Sequence, residues 1–579
     1  MSQCARPEWC SGKGFRLPAA TLAFRSPVLL FSTFVAKLSV SAPASAPPSR
    51  NFRLLAAVIF AFVVPLLFAA YTGEAWEDYY ITLRSSRNLA KGHGLVYQIG
   101  ERVHTFTSPL GVLVPALGFK LTGGDVGALW FLRGLGALAL AATASLIVRH
   151  AREQAWSQSA LWFALGLGLF EAKVVACSVN GMETAFLALF AVIAWTELVR
   201  SAGPRWRWLA AAYAGLMWTR PDACVLAAAM TLAAALFRPR EIPTARVWWR
   251  GILMAMFAGG LLYAPWFAWA WQYYGSPVPQ TIIAKSIYTP GFSLPRILLA
   301  PFTCLVSNTA LDDIFMPIYA HRGWPDGLLL VGRVLARAAA FLWVVPVLPR
   351  ACRAASFALL LGGVYLQQIM PYPWYFAPWT LLGALALAGA AAAAGARLPR
   401  PFVRTGAVML AAVAGCLALT TVAQAYASRL QQTLIEDNGR KQIGLWLRDH
   451  ATPGDTVFLE PIGYIGYFSQ LKILDFPGLS APEVSRIVRG GGRGGYARLI
   501  DELQPTWLVL RPWEVHQQNL EASGKLAGYD AVGFWTQREH VDAIAFLPGR
   551  PWVEFDAEFV VYHRRSVSST EGKAPSREN

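Results

Sequence analysis

Long apolar runs separated by short basic stretches dominate the first three quarters of the chain. Runs long enough for spans of roughly 17–25 residues lie at 53–71, 126–148, 157–176, 182–199, 248–271, 327–348, 354–370, 376–396 and 403–426. Two shorter runs, 208–218 and 223–237, flank the polar break Thr219-Arg220-Pro221-Asp222, which predicts a short helical hairpin. With that hairpin included, the pattern predicts a polytopic α-helical membrane protein of about eleven spans over residues 51–426. The stretches 109–121 and 294–306 are apolar but short, and fit interfacial helices better than spans.

Beyond about residue 427 the pattern changes. Strand-like runs at Thr456–Leu459, Lys472–Leu474, Thr506–Leu510 and Phe559–Tyr562 alternate with helical stretches and predict a small α/β domain over 427–565. Gly490–Gly495 is a loop by composition, since a phosphate cradle needs a strand before it and a helix opening after it. Residues 1–50, basic and then rich in Ser, Ala and Pro, fit either a disordered tail or an upstream start that is not used, and residues 566–579 are expected to be disordered.

Composition supports the membrane reading. Of 579 residues, 55% are hydrophobic and 15% charged, and the mean hydropathy of +0.39 is too high for an ordinary soluble domain. Fifty-one Lys and Arg against 34 Asp and Glu leave a net charge of +17. That excess sits between spans: the loops 149–156, 200–207, 238–250, 349–353 and 396–404 hold fourteen Arg against two acidic residues, Glu153 and Glu241. This is the positive-inside bias of a membrane protein, so a nucleic-acid partner drops out and those loops are assigned to the cytoplasm. The loops 72–125 and 272–326 and everything after 426 then face outward. The seven Cys form no CxxC pair and none follows Cys416, so neither a zinc knuckle nor a disulfide framework is supported.

The chemistry gathers after the first span. Glu74, Glu77 and Asp78 lie within one or two turns of the lipid exit and precede an aromatic-rich helix over Tyr79–Ala90. That placement suggests a site at the membrane surface, although the same carboxylates also suit the N-terminus of the helix that follows. Arg220 sits inside an apolar hairpin, where an Arg costs roughly 2.5–3.5 kcal/mol on insertion scales. It is therefore either part of a site or the partner of Asp222 in closing the turn. His93 and His104 lack a fixed carboxylate partner and give a weak metal signal, and Asp312-Asp313 is an alternative acidic pair.

Residues Glu77 to Pro109 carry an acidic pair, an Arg84…Asn88…Gly92-His93-Gly94 core and a Thr107-Ser108-Pro109-Leu110 end. This run resembles the first extracytoplasmic loop of bacterial GT-C integral-membrane glycosyltransferases, notably those similar to arabinofuranosyltransferases and to glycosyltransferase 39. Later blocks fit the same pattern: Asn180-Gly-Met-Glu183-Thr184, Thr219–Asp222, Tyr274–Pro279 with Ala284-Lys285, Pro371–Tyr375, and Gly463–Ser469 with Asp475 and Gly478-Leu479. The resemblance covers most of residues 51–480 and implies a hexosyl- or pentosyltransferase of the bacterial inner membrane. Such an enzyme moves a sugar from a polyprenyl-phosphate donor to a glycan, lipid or protein acceptor of the cell envelope, on the extracytoplasmic face.

By that resemblance Asp78 is the base for the acceptor hydroxyl, with Glu77 beside it. The family's frequent pair is Asp-Asp, so the Glu-Asp here leaves open which of the two is the base. Arg84, Arg220 and Lys285 are the candidates for the donor phosphate. Tyr79, Thr107, Ser108, Tyr372, Trp374 and Tyr375 are the candidates for substrate contact, although aromatics at span ends also form interfacial belts. No cofactor is required by the pattern, and a divalent ion, Mg or Mn, stays open. The alternatives are an oligosaccharide ligase using a diphosphate carrier, and a lipid or sugar transporter, which predicts a second broken helix pair that the sequence lacks.

Overall fold

Length decides which apolar runs can cross a bilayer. In the computed structural model, which describes residues 50–565 apart from 243, 290, 292 and 491–494, six helices are long and apolar enough. They are Leu54–Thr72, Asp125–Glu153, Ala245–Tyr274, Asp326–Val344, Ala377–Gly395 and a long helix beginning at Pro401. The run at 157–176 is a bent pair, Gln158–Gly168 and Ala172–Val179, meeting at 53° and making a seventh crossing if counted as one span. At the bend the Glu171 carboxylate accepts from Val174 N at 2.9 Å and restarts the helix.

The count falls short of eleven because several runs fold as shorter helices. Thr184–Leu198 has 15 residues, about 22 Å at 1.5 Å per residue, against a hydrocarbon core of about 30 Å. Arg350–Leu366 has 17 residues. The hairpin is Trp206–Thr219 and Ala223–Leu236, broken where Arg220 takes an extended conformation (φ −157°, ψ 130°). Pro109–Thr122 and Leu294–Val306 are helices of 14 and 13 residues.

Small residues let the helices approach closely, as membrane helices must when apolar burial alone does not drive them together. Gly259 packs on the backbone of Ala210, and Gly215 lies under the Phe190 ring. The Arg-bearing loops collect at one end of the bundle. There the Arg350 guanidinium donates to the Arg238 carbonyl, and Trp156 and Cys352 both pack against Gly389.

After Leu430 the long helix continues through a π-helical segment, Gln431–Arg440, into Lys441–His450. A five-stranded mixed sheet follows, in the order β2-β1-β3-β5-β4. Its strands are β1 Thr456–Leu459, β2 Lys472–Asp475, β3 Trp507–Leu510, β4 Tyr529–Thr536 and β5 Glu558–Arg564. β1 runs parallel to β2 and β3, with Val457 opposite both Ile473 and Trp507. β5 is antiparallel to β3 and β4. The parallel strands are almost wholly apolar because both of their faces are covered. β4, which the sequence pattern did not reveal, is a largely exposed edge with a bulge between Ala531 and Gly533.

The sheet domain is fastened to the loop that follows the first span. Ile81 and Tyr97 share one apolar core with Ile443, Val457 and Ile465. Tyr97 Oη donates to the Ile462 carbonyl at 2.9 Å, Tyr464 Oη to the Ala75 carbonyl at 2.8 Å, and Gln98 bonds both backbone groups of Ile473. The N-terminal segment, the centre of the Gly490–Gly495 run and the C-terminal tail lie outside the described residues.

Candidate functional site

The Glu77–Ala90 helix is aimed by the turn that precedes it. Trp76 N bonds the Asn180 carbonyl at 2.7 Å, Ala75 N bonds Gln432 Oε1 at 3.0 Å, and Arg133 donates to the Glu74 carbonyl at 2.6 Å. So held, the first turn points Asp78 into a cleft of about 320 Å³. The cleft lies where the outer loops, the broken hairpin and the Pro373–Tyr375 turn converge. Its ionisable Asp, Glu, Lys and Arg residues are Asp78, Glu183, Arg220, Asp222 and Lys285.

These five charges are arranged unequally. Arg220 is held on two sides, by Asp222 (Nε to Oδ1 3.0 Å, Nη2 to Oδ2 3.2 Å) and by Glu183 (3.4 Å). Its guanidinium also lies 4.1 Å from the Tyr375 ring centroid. Tyr365 Oη completes the group by donating to Asp222 Oδ2 at 3.1 Å. Lys285, by contrast, has no carboxylate within 4 Å among the described residues; its ammonium sits 4.4 Å from the Tyr372 ring centroid. Asp78 likewise has no hydrogen-bond or ion-pair partner for its carboxylate among the described residues. The cleft therefore presents one uncommitted carboxylate and one uncommitted cation, with a cluster of one guanidinium and two carboxylates behind them.

Thr107, Ser108, Tyr372, Trp374 and Tyr375 line the same cleft. Ser108 also accepts from Gly111 N at 2.8 Å, capping the Pro109–Thr122 helix. Tyr372 and Trp374 stack with centroids 5.0 Å apart. Burial pushes the Tyr372 phenol up, and the negative charge of Asp78 adds to this, so the hydroxyl stays a neutral donor.

Three residues assigned to the site by resemblance lie elsewhere. Glu77 turns away from the cleft and accepts from Gly463 N in the sheet domain. Loss of hydration there pushes its carboxyl up to about 8, with Arg440 opposing and the charges of Asp78 and Glu436 adding. Arg84 is buried against the sheet domain, donating to the carbonyls of Gly466 (2.8 Å) and Leu471 (3.0 Å). Tyr79 is 1% exposed and packs on Gly181, where φ is +100° and a Cβ would strike the ring.

Glu183, Asp222 and Tyr365 enter the site with little warning from sequence. Glu183 has an alternative explanation as the residue preceding a helix, Asp222 as part of a turn, and Tyr365 lies in an apolar run. Their common signal, a charged pair inside apolar surroundings, shows only when Glu183 is brought against Arg220 across 37 positions.

No group of three or more His, Cys, Asp or Glu is placed to hold a metal ion among the described residues. Asp312 is bound by Arg337 at 2.9 Å, and Asp313 by His321 at 2.7 Å. His104 stacks on Tyr274 at 4.5 Å, and burial holds its imidazole down to about 4. The cysteines among the described residues, Cys177, Cys224, Cys304, Cys352 and Cys416, are free thiols.

This arrangement of helices has a known counterpart. The apo crystal structure of ArnT from Cupriavidus metallidurans superposes with a TM-score of 0.51 at 14% identity, covering 88% of this chain and 98% of that one. The chain has a GT-C-like fold. It is a polytopic helical membrane protein. ArnT from the same organism bound to undecaprenyl phosphate gives a TM-score of 0.48 at 15% identity, over 90% of this chain and 99% of that one. A terminal beta-(1->2)-arabinofuranosyltransferase of Mycobacterium tuberculosis is 29% identical over 274 residues, 40% of this chain. The match spans about two-fifths (39%) of that relative's length. Residues 424–561, the end of the long helix and most of the sheet domain, match a family model described as a domain of unknown function, DUF8728.

Proposed function

We propose that the chain is an integral-membrane glycosyltransferase that moves a sugar from a polyprenyl-phosphate donor to a hydroxyl acceptor of the cell envelope, on the extracytoplasmic face. One observation carries this reading: an unpartnered carboxylate, Asp78, shares an aromatic-lined cleft at the end of the helical bundle with an unpartnered ammonium, Lys285. The name of the mycobacterial relative supports sugar transfer. The polyprenyl phosphate bound to ArnT, whose fold the chain shares, supports the donor class.

The reaction follows from charge. Asp78 takes the proton of the acceptor hydroxyl as its oxygen attacks the anomeric carbon, and a positioned base of this kind contributes on the order of 10²–10⁴-fold. The new bond joins the acceptor oxygen to the anomeric carbon. The bond that breaks joins that carbon to the phosphate oxygen, which keeps the electron pair. Negative charge therefore grows on the lipid phosphate as the bond lengthens, and Lys285, with no carboxylate of its own to satisfy, stabilises it. The Glu183–Arg220–Asp222 group and Tyr365 suit hydrogen bonding to sugar hydroxyls. Tyr372 and Trp374 offer faces for a sugar ring or an isoprenoid chain.

The test is transfer by the purified full chain in nanodiscs, with a radiolabelled polyprenyl-phosphate sugar as donor and cell-envelope glycan as acceptor. Asp78→Asn should lose roughly 10²-fold or more of turnover while donor binding persists. Undiminished transfer by the variant removes Asp78 from the mechanism.

A further inference from the structure

A second cleft, of about 190 Å³, opens on the other side of the Glu77–Ala90 helix. Arg87 lines it, nine residues from Asp78 and so about 180° around the helix. Its other polar lining includes Arg84, Gln98 and Glu101 of the first outer loop and Gln470 and Lys472 of the sheet domain, with Ile99 and Leu471 as apolar neighbours. The rim is reachable from water, since the Lys472 and Glu101 side chains are 42% and 33% exposed.

The charges of this cleft do not balance. Its carboxylate, Glu101, is taken by Lys472 at 2.6 Å, and the neighbouring Glu483 lies 3.8 Å from the same ammonium. Neither Arg84 nor Arg87 has a carboxylate within 4 Å among the described residues. The Arg84 guanidinium is committed to two carbonyls and to the Tyr97 ring, 4.3 Å away. Arg87 is different. It is 9% exposed and lies 4.1 Å from the Tyr467 ring centroid, and its guanidinium donates no hydrogen bond to protein among the described residues. Burying two like charges side by side is costly unless something compensates them.

A planar guanidinium, locked on a ring with its N–H groups free and pointing into a small polar cleft, matches an oxyanion in bidentate geometry. Gln470, set at the rim by its left-handed backbone (φ 59°), adds an amide with no protein partner among the described residues. We propose that this cleft is a second binding site, for a small ligand bearing a carboxylate or a phosphate, and that Arg87 is the residue that receives the anion. The site stands apart from the Asp78 cleft, and its case does not depend on the transferase reading.

Mass-spectrometric mapping of phenylglyoxal modification at Arg87, on the wild-type full chain in detergent, tests this without any substitution. Inorganic phosphate or glucuronate should slow modification of Arg87 in a saturable manner, whereas glucose should not. Protection by phosphate alone identifies a phosphate ligand, and protection by glucuronate alone a carboxylate. In the companion experiment Arg87→Gln should weaken binding of the effective anion at least tenfold, with Arg87→Lys restoring part of it. Protection of Arg87 from phenylglyoxal by the effective anion should be the same in Lys285→Ala as in wild type, which separates this cleft from the first. Equal modification rates with and without either anion, or equal protection by glucose, overturn the proposal.

Discussion

The backbone N–H of Gly463 donates to the carboxyl of Glu77, so the residue beside the proposed base is tied to the sheet domain and not to the cleft. The approach is so close that a Cβ at 463 would fall on the Glu77 carbonyl oxygen. Glycine is required there for space, since its φ is not left-handed. Gly463→Ala should therefore push the sheet domain off the first turn of the Asp78 helix and lower turnover at least tenfold. The chain should stay folded, because the helical bundle lies elsewhere. Assaying transfer beside thermal unfolding in detergent checks this, and normal turnover in the variant would show that the sheet domain does not set the position of Asp78.

The same contact makes stability depend on pH. The Glu77 carboxyl is raised to about 8 in the folded chain from an ordinary 4.5. Between those values the folded state holds a proton that the unfolded state has lost. Its contribution is thus complete below about 4.5 and fades as pH rises through about 8, by roughly 1.4 kcal/mol per pH unit at most. Glu77→Gln keeps the acceptor oxygen for Gly463 and removes the titration. The melting temperature of Glu77→Gln relative to wild type should accordingly climb between pH 5 and pH 8.5. A difference that stays constant over that interval would falsify the assignment of a neutral Glu77.

What the chain reveals before folding depends on the range of the interaction. The Glu77–Ala90 helix is legible because its acidic first turn and its aromatic and basic residues are local signals. The broken hairpin is legible because Arg220-Pro221-Asp222 interrupts two apolar runs. Arg84 defeats the same reading. It is six residues from Asp78, about 120° away around the helix, and nothing local says that the sheet domain will cover that side. Tyr79 is adjacent to Asp78 yet buried, because Gly181, about a hundred positions onward, leaves room for its ring. Glu183 is understood only when its partner arrives. Span number is less legible for a different reason: hydropathy finds apolar runs, but helix breaks such as those at Glu171 and Arg220 set the length of each helix.

Lys285 and Arg220 should behave differently when removed. Lys285 is an uncommitted cation, so Lys285→Ala should raise the donor KM about tenfold or more, with Lys285→Arg recovering part of the loss. Arg220→Ala leaves the buried Glu183 without compensation and strips the half-buried Asp222 of its partner, and breaking a buried pair typically costs about 3–5 kcal/mol. It should lower the melting temperature as well as activity, and Arg220→Lys should rescue poorly because the fork and the stacking on Tyr375 are lost. Donor titrations and thermal unfolding on the same preparations separate the two. An unchanged donor KM in Lys285→Ala would remove Lys285 from the phosphate site.

The side of the membrane is open to a direct measurement. The Arg-bearing loops meet at one end of the bundle, where Arg350 reaches the Arg238 carbonyl, and the cleft with Asp78 is built from the segments between them. If charge sets orientation, the loop holding His93, which is exposed, faces outward and the exposed Arg397 faces the cytoplasm. In a chain whose own seven Cys are replaced, His93→Cys should react with a membrane-impermeant maleimide on intact cells. Arg397→Cys should react only after the cells are opened. The reverse pattern would put Asp78 and the lipid phosphate on the cytoplasmic side, where an extracytoplasmic acceptor could not reach them, and the proposed reaction would have to be abandoned.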